Sequence, residues 1–336
     1  MLTFYNEHHA QHRGKEETPE RAELVLAEFE RRGLGKVVTP HGVSLASLER
    51  IHTPRYLHFL RNAWNEWMAL DPSNAGRDAV PVVWPIRGMR SDIEPDGFGA
   101  RMGLYSMDAF TPITAGAWIA AKSGADCAIN AAHALRLGQR GAFALTRPPG
   151  HHAGADFFGG YCYLNNAALA TQHLLDDGAN KIAVLDIDYH HGNGNQDIFY
   201  KRGDVLCISI HADPRRAYPY YLGHADETGD GEGAGFNMNL PLPPGTTAAQ
   251  WFAALETACI KLQGFAPDAL VVSLGVDTFA GDPQSTFALQ SADYLRIGER
   301  IGYLGLPTAF VFEGGAVVAE MGINVVNVLE GFETAT

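Results

Sequence analysis

The sequence contains little cysteine, and its cysteines do not form a framework. Among 336 residues there are four, Cys127, Cys162, Cys207 and Cys259, and no Cys-x-x-Cys pair. Each lies among apolar residues. Because disulfide-stapled domains and cysteine-based metal sites need more cysteines at closer spacing, we expect buried free thiols in a reducing compartment.

Net positive charge and long apolar runs are also missing. The 25 lysines and arginines are outnumbered by 38 aspartates and glutamates, which gives a formal net charge of −13. Nucleic acids and anionic membranes select basic surfaces, so neither is expected as a partner. We see neither a signal-peptide pattern at the N-terminus nor an apolar run that could cross a bilayer. We therefore expect a cytoplasmic protein that acts on small molecules.

The chain shows no internal repeat, low-complexity linker or charge block that would mark a domain boundary, so we expect residues 1–336 to form a single domain. Short apolar runs alternate with helical patterns. The predicted strands are Ala142–Leu145, Lys181–Asp188, Val205–Ile210, Ala269–Leu274 and Thr308–Phe312. The predicted helices are Pro19–Arg32, Ala115–Arg136, Asn166–Asp176, Ala248–Gln263 and Ser291–Gly302. This alternation predicts an α/β fold with one open parallel sheet and helices on both faces.

One long segment, residues 71–112, does not fit the alternation. It is rich in Pro, Gly, Asp and Arg and lacks strong periodicity. Loops of this length are usually functional or disordered. We expect a loop that shapes the mouth of a binding site.

Polar motifs follow four of the predicted strands. They are Arg147-Pro-Pro-Gly-His-His152, Asp186-Ile-Asp-Tyr-His-His-Gly-Asn-Gly194, Ser273-Leu-Gly-Val-Asp277 and Glu313-Gly-Gly315. Ligands of open parallel sheets bind beyond the carboxyl ends of the strands. These motifs, far apart in the chain, are therefore expected to meet at one rim of the sheet.

Asp188, His190 and Asp277 are the candidate metal ligands. Residues two apart on an extended segment point to the same side, so Asp188 and His190 can share one ion. Two carboxylates and one imidazole suit Zn(II), and also Fe(II), Co(II) or Mn(II). The alternative is that these residues are only strand-end caps and ion pairs.

His151 and His152 are candidates for proton transfer. Asp186 lies one step deeper in its strand than Asp188 and can orient His151 through a hydrogen bond. Asn193, a neutral partner, can orient His152. Histidines with different partners titrate differently, so one of them can accept a proton and pass it to a departing amine. The alternative is a loop pair that makes backbone hydrogen bonds.

Together these motifs resemble those of zinc-dependent deacetylases of the arginase–deacetylase superfamily. The resemblance covers nearly the whole chain and is strongest to bacterial acetylpolyamine amidohydrolases and histone-deacetylase-like amidohydrolases. Its markers are Arg147–Gly154, Gly159–Asn166, Asp186–Gly194, Ser273–Asp277 and Phe312–Gly315. Asn193, where many eukaryotic deacetylases carry Asp, is typical of the polyamine-amidohydrolase and class II branch.

The resemblance implies roles for the candidate residues. His152 would be the main general base and acid, oriented by Asn193, and His151 an electrostatic partner held by Asp186. Zn(II), or alternatively Fe(II) or Co(II), would be bound by Asp188, His190 and Asp277. A narrow substrate tunnel would be lined by Tyr161, Tyr218, Gly160, Gly315 and Phe110. Structural potassium would be bound near Asp186, Asp188, His190, Ser209, Ile210, Phe199, Arg202 and Val205. The long loop would help to form a homodimer or a higher homo-oligomer.

One position departs from the family pattern. Where the family motif ends in Glu-Gly-Gly-Tyr, this chain has Ala316. The family's tyrosine hydroxyl hydrogen-bonds the scissile carbonyl, so its loss should cost about 10²–10³ in turnover, roughly 3–4 kcal/mol. Three interpretations stay open: an introduced substitution that traps substrate, a natural enzyme with unusual amides or another donor, and a protein that binds without turnover.

The resemblance predicts an enzyme that removes an acetyl or another small acyl group from a primary amine, of the acetylpolyamine or acyl-lysine type. The rival enzyme is an arginase-like guanidine hydrolase, which needs two manganese ions and more ligands. The rival without catalysis is an acyl-amine binding protein.

Recognition of a polyamine's distal ammonium is less well supported. Gly99 and Phe110 stand where the polyamine enzymes carry acids. Glu94, Asp96 and Asp108 are nearby, but we favour solvated loop charges for them. The candidate tunnel or dimer contacts, with ordinary local packing as the alternative, are Trp84, Phe98 and Phe110.

Overall fold

A computed structural model of the chain, which describes residues 1–335, contains one parallel eight-stranded sheet, as predicted. Its strands are β1 (Leu2–Phe4), β2 (Lys36–Val38), β3 (Gly141–Ala144), β4 (Ile182–Asp186), β5 (Val205–Ala212), β6 (Asn237–Leu242), β7 (Ala269–Leu274) and β8 (Thr308–Phe312). They lie in the order β2-β1-β3-β8-β7-β4-β5-β6, and every neighbouring pair is parallel. All carboxyl ends therefore meet at one rim, where ligands of such sheets bind.

Helices between residues 1 and 335 cover both faces of this sheet. They are α1 (Glu20–Arg32), α2 (Leu45–Leu48), α3 (Pro54–Leu70), α4 (Phe98–Leu104), α5 (Ala117–Arg136), α6 (Asn166–Asp176), α7 (Asn193–Phe199), α8 (Ala248–Phe265), α9 (Ser291–Gly302) and α10 (Met321–Thr334). Strand residues alternate between two apolar clusters: Val271 lies with α3, α5 and α6, whereas Leu270 and Val272 lie with α1, α8, α9 and α10. Burial on both faces explains why the strands are apolar throughout.

All five predicted strands and all five predicted helices are present, with small differences at their ends. Strand β4 ends at Asp186 rather than Asp188, because the chain bends from Asp188 onward. Three strands of the structure are not predicted from the sequence. Strands β1 and β2 have only three residues, too few to show a periodicity, and β6 is an edge strand with alternately half-buried residues.

Helix α3 is also not predicted, although the sequence contains its N-terminal capping signal. Thr53 precedes Pro54 at the first helical position, and the Thr53 hydroxyl accepts a hydrogen bond from Tyr56 N at 3.3 Å. Helix α10 is not predicted either, for another reason. Its run of Val and Ile is typical of strands, and tertiary packing overrides that preference.

The segment 71–112 is not a loop throughout, which corrects the sequence prediction. Helix α4 lies within it, and Pro72–Gly76 form a 3₁₀ helix. Helix α4 contains glycines, which have low helix propensity, so the sequence does not predict this helix. At Gly103 the glycine permits close packing, because an added Cβ would lie 1.5 Å from the carbonyl oxygen of Val83.

All four cysteines are buried and free, as predicted. Burial raises the pKa of the Cys127 and Cys207 thiols, which keeps them protonated. Within residues 1–335, none of the helices combines the length and apolar character needed to span a membrane.

Candidate active site

Three neighbouring strands bring the predicted site residues together at the rim. Strand β7 pairs with both β4 and β8, so the segments that follow these strands are adjacent. Backbone groups join them directly. Tyr189 N donates to Asp277 Oδ1 at 2.8 Å, and Gly314 N donates to Asp188 Oδ2 at 2.7 Å. The two carboxylates are thereby held in fixed positions.

Asp188, His190 and Asp277, here named the cavity cluster, offer three ligand atoms that all lie within 4.8 Å of one another. The His190 Nδ1 atom is 3.0 Å from Asp277 Oδ2 and 3.4 Å from Asp188 Oδ1. Both carboxylates are buried. The structure thus brings together the three residues that the sequence analysis nominates as metal ligands; their binding of a metal stays a prediction.

The electrostatics of the cavity cluster suit a cation. Burial, followed by repulsion from Asp188, raises the pKa of Asp277 to about 7. Burial alone would lower the pKa of His190, but hydrogen bonds to the two carboxylates raise it to about 10. Two carboxylates in one dry site repel each other unless a proton or a metal ion lies between them.

The backbone passes very close to this cluster. An added Cβ at Gly314 would lie 2.4 Å from Asp188 Oδ2 and 2.7 Å from Asp277 Oδ2. Only glycine therefore fits where the chain after β8 crosses the carboxylates.

The two histidines of the Pro-Pro-Gly-His-His turn lie side by side, with ring centroids 4.0 Å apart. His151 Nδ1 is 2.9 Å from Asp186 Oδ2, and His152 Nδ1 is 2.7 Å from Asn193 Oδ1. These are the two contacts expected from the sequence. Because both oxygens are acceptors, each Nδ1 carries the donated proton, and the Nε2 lone pair of neutral His152 stays available.

Their surroundings separate the two histidines electrostatically. Burial opposes the charged form of His151, but the carboxylates of Asp188 and Asp186 raise its pKa well above the ordinary value. Burial, with the neighbouring His151 and His190, lowers the pKa of His152 well below it. The surroundings therefore favour the charged form of His151 and the neutral form of His152, and a neutral imidazole can accept a proton.

Glu313, which the sequence analysis places only within a motif, holds the histidine turn. Its Oε2 accepts from Gly150 N at 2.6 Å and from His151 N at 3.1 Å. Burial raises the pKa of Glu313 to about 7, and Oε1 finds no hydrogen-bond partner within residues 1–335. Glu313 therefore acts on the site through the backbone of the turn.

A buried ion-pair cluster joins the N-terminal segment to the rim, and the sequence analysis missed it. Glu17 Oε1 lies 2.8 Å from Arg147 Nε and 2.9 Å from Arg21 Nη1, and all three side chains are buried. Arg21 also donates to the carbonyl oxygens of Gly315 and Glu313. Helix α1 thus anchors the Glu-Gly-Gly segment.

The histidines and the cavity cluster line a cavity of about 620 Å³. Its wall is aromatic: the Phe110 ring centroid lies 5.7 Å from that of Tyr161 and 5.5 Å from that of Tyr218. The Tyr218 ring stands edge-on to His152 at 5.0 Å. The lining includes all five residues nominated for the tunnel, Phe110, Gly160, Tyr161, Tyr218 and Gly315.

Several lining residues are not anticipated from the sequence. They are Glu16, Glu17, Arg21, Tyr189, Arg216, Tyr220, Pro283, Gln284 and Thr286. Tyr161 donates its hydroxyl proton to Glu16 Oε2 at 2.9 Å. Glu16 and Arg216 are both exposed, so the opening carries charges of both signs. Apart from Tyr189, which lies within the Asp186–Gly194 motif, these residues belong to no recognised motif, and only the fold brings them to the cavity.

Asp108 is buried, which corrects its interpretation as a solvated loop charge. Its Oδ2 accepts from Gly160 N at 2.6 Å and from the Tyr218 hydroxyl at 2.8 Å, and its Oδ1 accepts from Thr111 N at 2.9 Å. Both oxygens are therefore used to hold the cavity wall.

The other nominated residues of segment 71–112 make local contacts. Phe98 is buried and stacks on Trp67, with ring centroids 5.8 Å apart. Trp84 Nε1 donates to Ser106 Oγ at 2.9 Å. Glu94 accepts from the Tyr105 hydroxyl, whereas Asp96 and Gly99 are exposed. Local packing is thus the better description of Phe98 and Trp84, in contrast to Phe110.

Ala316 lines the cavity, and its methyl group provides no hydrogen-bond donor there. Its backbone N donates to Asp282 Oδ2 at 2.8 Å, and Asp282 Oδ1 accepts from Gln284 N at 2.9 Å. Asp282 thus links the segment after β7 to the Glu-Gly-Gly segment after β8.

Two of the residues nominated for potassium line a small void below the rim. Asp186 and Ser209 occupy paired positions of β4 and β5 and line a void of about 10 Å³. Asn195 lines the same void, and its Oδ1 has no hydrogen-bond partner among residues 1–335. The remaining nominated residues are spread more widely. Asp188 and His190 follow β4 and line the cavity, Phe199 ends α7, Arg202 lies between α7 and β5, and Val205 and Ile210 are in β5.

Comparison with known proteins agrees with this architecture. Residues 15–332 match the family described as histone deacetylase domain. The chain is 52% identical over 344 residues to acetylpolyamine amidohydrolase 2 of Pseudomonas aeruginosa, a match that covers 99% of both chains. It is 47% identical over 315 residues to the acetylpolyamine amidohydrolase of Mycoplana ramosa, which covers 94% of this chain and 91% of the relative.

A solved structure extends the comparison to three dimensions. The crystal structure of an acetylpolyamine aminohydrolase from Burkholderia pseudomallei matches with a TM-score of 0.94 at 39% identity, over 100% of this chain and 99% of that one. The order of strands, the rim motifs and these matches agree. The chain therefore belongs to the histone deacetylase domain family of the arginase–deacetylase superfamily.

Proposed function

We propose that this protein is a metal-dependent amide hydrolase that removes an acetyl or another small acyl group from a primary amine, with acetylpolyamines as the first substrates to test. The observation that carries the proposal is the placement of His151, held by Asp186, and His152, held by Asn193, beside the cavity cluster in one cavity. Relatives named acetylpolyamine amidohydrolases share about half of its residues, which supports this substrate class.

The cavity cluster fits a divalent metal, for which we propose Zn(II), with Fe(II) and Co(II) as alternatives. Two carboxylates and one imidazole form a suitable donor set, and the buried carboxylates need a cation between them. When bound, such a metal polarises a substrate carbonyl and lowers the pKa of a water molecule.

His152 supplies the base and then the acid. Asn193 Oδ1 holds its Nδ1–H, so the Nε2 lone pair accepts a proton from the attacking water. The neighbouring carboxylates raise the pKa of His151, which in its protonated form would favour the negative charge that develops on the substrate oxygen. His152 then returns a proton to the amine nitrogen as the C–N bond breaks.

The cavity suits an extended amine. Phe110, Tyr161 and Tyr218 can pack against methylene groups and exclude water from the reacting amide. Glu16, beside the Tyr161 hydroxyl, places a carboxylate where a second ammonium of a polyamine could bind. Arg216 opposes this attraction, so the arrangement favours an amine chain without selecting its length.

Ala316 leaves the substrate oxygen without the donor that the family resemblance implies. The test is turnover of the Zn(II)- and Co(II)-loaded protein beside Ala316→Tyr and Ala316→Phe, on acetylpolyamines, acetyl-lysine peptides and an activated acyl-lysine. The tyrosine variant should gain about 10²–10³ in turnover on the preferred substrate. The phenylalanine variant fills the same space without a donor and should gain little.

Other outcomes would change the proposal. Good turnover by the Ala316 protein, with no gain in the tyrosine variant, would mean that another group donates to the substrate oxygen. Tight binding of acyl-amines without turnover by any variant would favour the binding protein, which Ala316 alone supports. Hydrolysis of guanidines rather than amides would favour the arginase-like alternative.

We also propose potassium at Asp186 and Ser209, supported by the small polar void and the unpartnered Asn195 Oδ1. A cation there would stiffen the strand that positions the cavity cluster. Replacing potassium by tetramethylammonium should lower thermal stability; an unchanged melting temperature would contradict the proposal.

Self-association through segment 71–112 completes the proposal. Val82, Ile86 and Met89 are 76%, 67% and 62% exposed, and such apolar surface is typical of interfaces. Sedimentation velocity should show a dimer or larger oligomer for the protein and a monomer for Ile86→Asp. A monomeric parent protein would contradict this part.

A further inference from the structure

A second group of metal-ligating side chains lies away from the cavity. His133 is in the last turn of α5, His173 is in the last turn of α6, and Asp177 caps the end of α6. Helix α5 leads into the start of β3, and α6 leads into the start of β4. This surface cluster, His133, His173 and Asp177, therefore lies at the amino ends of the strands, opposite the rim that holds the cavity.

The ligand atoms of the surface cluster form a nearly equilateral triangle. His133 Nδ1 lies 3.4 Å from His173 Nε2 and 3.5 Å from Asp177 Oδ2, and His173 Nε2 lies 3.3 Å from Asp177 Oδ2. For bonds of about 2.0–2.1 Å to zinc, the edge of a ligand tetrahedron is about 3.3–3.4 Å. An octahedron with such bonds has an edge of only about 2.9 Å. The side chains already have the separations that a tetrahedral ion requires.

Hydrogen bonding explains these three separations less well than metal coordination does. All three separations exceed the roughly 2.7–2.9 Å of charge-assisted N–H···O bonds. The His133 and His173 rings also tilt toward each other with their ring centroids 5.5 Å apart. The three ligand atoms therefore lie close together, joined only by a long His173–His133 hydrogen bond and by ion-pair contacts of 3.3–3.5 Å.

The surroundings of the surface cluster suit a cation. The carbonyl ends of α5 and α6 add partial negative charge. Arg136 is a nearby cation, whereas Asp176 is already paired with Arg50.

We propose that the surface cluster binds a divalent transition-metal ion of the zinc class, independently of the cavity. The ligands are His133 Nδ1, His173 Nε2 and a carboxylate oxygen of Asp177, and solvent takes the fourth position. The three side chains are 52%, 25% and 33% exposed, so an ion reaches them directly and binds more weakly than in a buried site. The ion joins the ends of α5 and α6.

A second metal site changes how the metal content of this protein is interpreted. Two zinc ions per chain would not indicate a binuclear, arginase-like centre, because the second ion would lie at the opposite edge of the sheet.

Zinc titration of the metal-free protein by calorimetry tests the site. The protein should bind two ions per chain. The affinity for the second ion should fall by at least about tenfold in each of three variants, His133→Gln, His173→Gln and Asp177→Asn. The affinity for the first ion should be unchanged. The matched control is His58→Gln, which removes an exposed histidine elsewhere and should keep both ions.

A second titration isolates the surface cluster. In an Asp277→Asn background, which removes a ligand of the cavity cluster, one zinc ion should remain, and adding His173→Gln should abolish it. Co(II) bound in that background should show the intense visible absorption of a tetrahedral ion.

Two outcomes overturn the proposal: no zinc bound below millimolar concentration by the Asp277→Asn protein, or unchanged binding in all three surface variants. Amide hydrolysis by these variants, with the cavity loaded, should equal that of the parent. Failure of the proposed hydrolase activity would therefore be distinguishable from failure of the surface site.

Discussion

The cavity cluster and the surface cluster use the same residue types at opposite edges of one sheet, but their surroundings differ. In the cavity cluster the carboxylates are buried and each is held by a backbone N–H. In the surface cluster all three side chains are partly exposed and their ligand atoms are 3.3–3.5 Å apart. One geometry is imposed by the protein backbone, and the other by the packing of two helix ends.

This difference shows that environment, more than residue type, sets the chemistry. Burial and repulsion raise the pKa of Asp277 to about 7, so the cavity cluster is unfavourable unless a positive charge accompanies it. Water solvates the carboxylate of the surface cluster, which tolerates the absence of an ion. Strong coupling to catalysis is therefore expected from the first cluster and little from the second.

Asp277→Asn should have the largest effect, because it removes a charge from the cavity cluster while keeping the side chain's size. Metal affinity should fall more than about a hundredfold, since the loss of a ligand costs more than the loss of a hydrogen bond to a ligand. Metal titration combined with turnover measures this. Asp282 is a buried neighbour outside the cluster, and the metal affinity of Asp282→Asn should stay within about tenfold of the parent's. Equal losses of affinity in both variants would contradict the special role of the cavity cluster.

His152→Gln should have the next largest effect and should separate the two cavity histidines. We expect turnover to fall about 10²–10⁴-fold with metal content unchanged, because the variant lacks the neutral base. His151→Gln should lose less, since it removes a charge next to the reaction and leaves the proton acceptor. Turnover and metal analysis of both variants check this. A larger loss for His151→Gln would reverse the assigned roles.

Stability at low pH should depend on buried histidines. His52 is buried, its Nδ1 donates to Gly154 O at 3.0 Å, and its Nε2 accepts from Asn165 N at 3.0 Å. Burial lowers the pKa of His52 from 6.5 to about 4. The stabilisation by the neutral form is complete above pH 6.5 and is lost as the pH falls toward 4, a change of about 3 kcal/mol between pH 7 and pH 4.

Urea unfolding of the parent protein and His52→Gln at pH 7 and pH 4 measures this change. The difference between their unfolding free energies should shift by about 3 kcal/mol in favour of the variant at pH 4. His58→Gln, at an exposed position, is the control, and its unfolding free energy should stay within about 0.5 kcal/mol of the parent's. Parallel pH profiles for the parent and His52→Gln would contradict the expectation.

His133→Gln should have the smallest effect in the absence of metal. Because its side chain is half exposed, the unfolding free energy should change by no more than about 0.5 kcal/mol, and turnover should stay within about twofold. Adding zinc should raise the melting temperature of the parent more than that of the variant. A large loss of turnover would show that the two clusters are coupled through the sheet.

Much of the candidate site could be predicted because its signals are local in the chain. Asp188 and His190 are two residues apart, and Asp277 follows an apolar strand, so the common rim of a parallel sheet brings them together. The contacts of His151 and His152 follow from the same argument. Their roles in catalysis stay predictions until turnover is measured.

Other parts could not be predicted, because their partners are far apart in sequence. Arg21 and Gly315 are separated by 294 positions, and no periodicity connects them. The burial of Asp108 depends on its contact with Tyr218, 110 positions away. Helix α4 contains Gly103, whose close approach to the backbone at Val83 is visible only after folding.

By itself the sequence determined the fold class, most of the strands around the site, the family resemblance and the residues that meet at the rim, because periodicity and motif spacing are properties of short segments. The tertiary structure was needed to show which carboxylates are buried, what lines the cavity and that a second histidine–aspartate cluster exists. These properties depend on dehydration and on distances between side chains that are remote in the chain, and no local pattern encodes either of them.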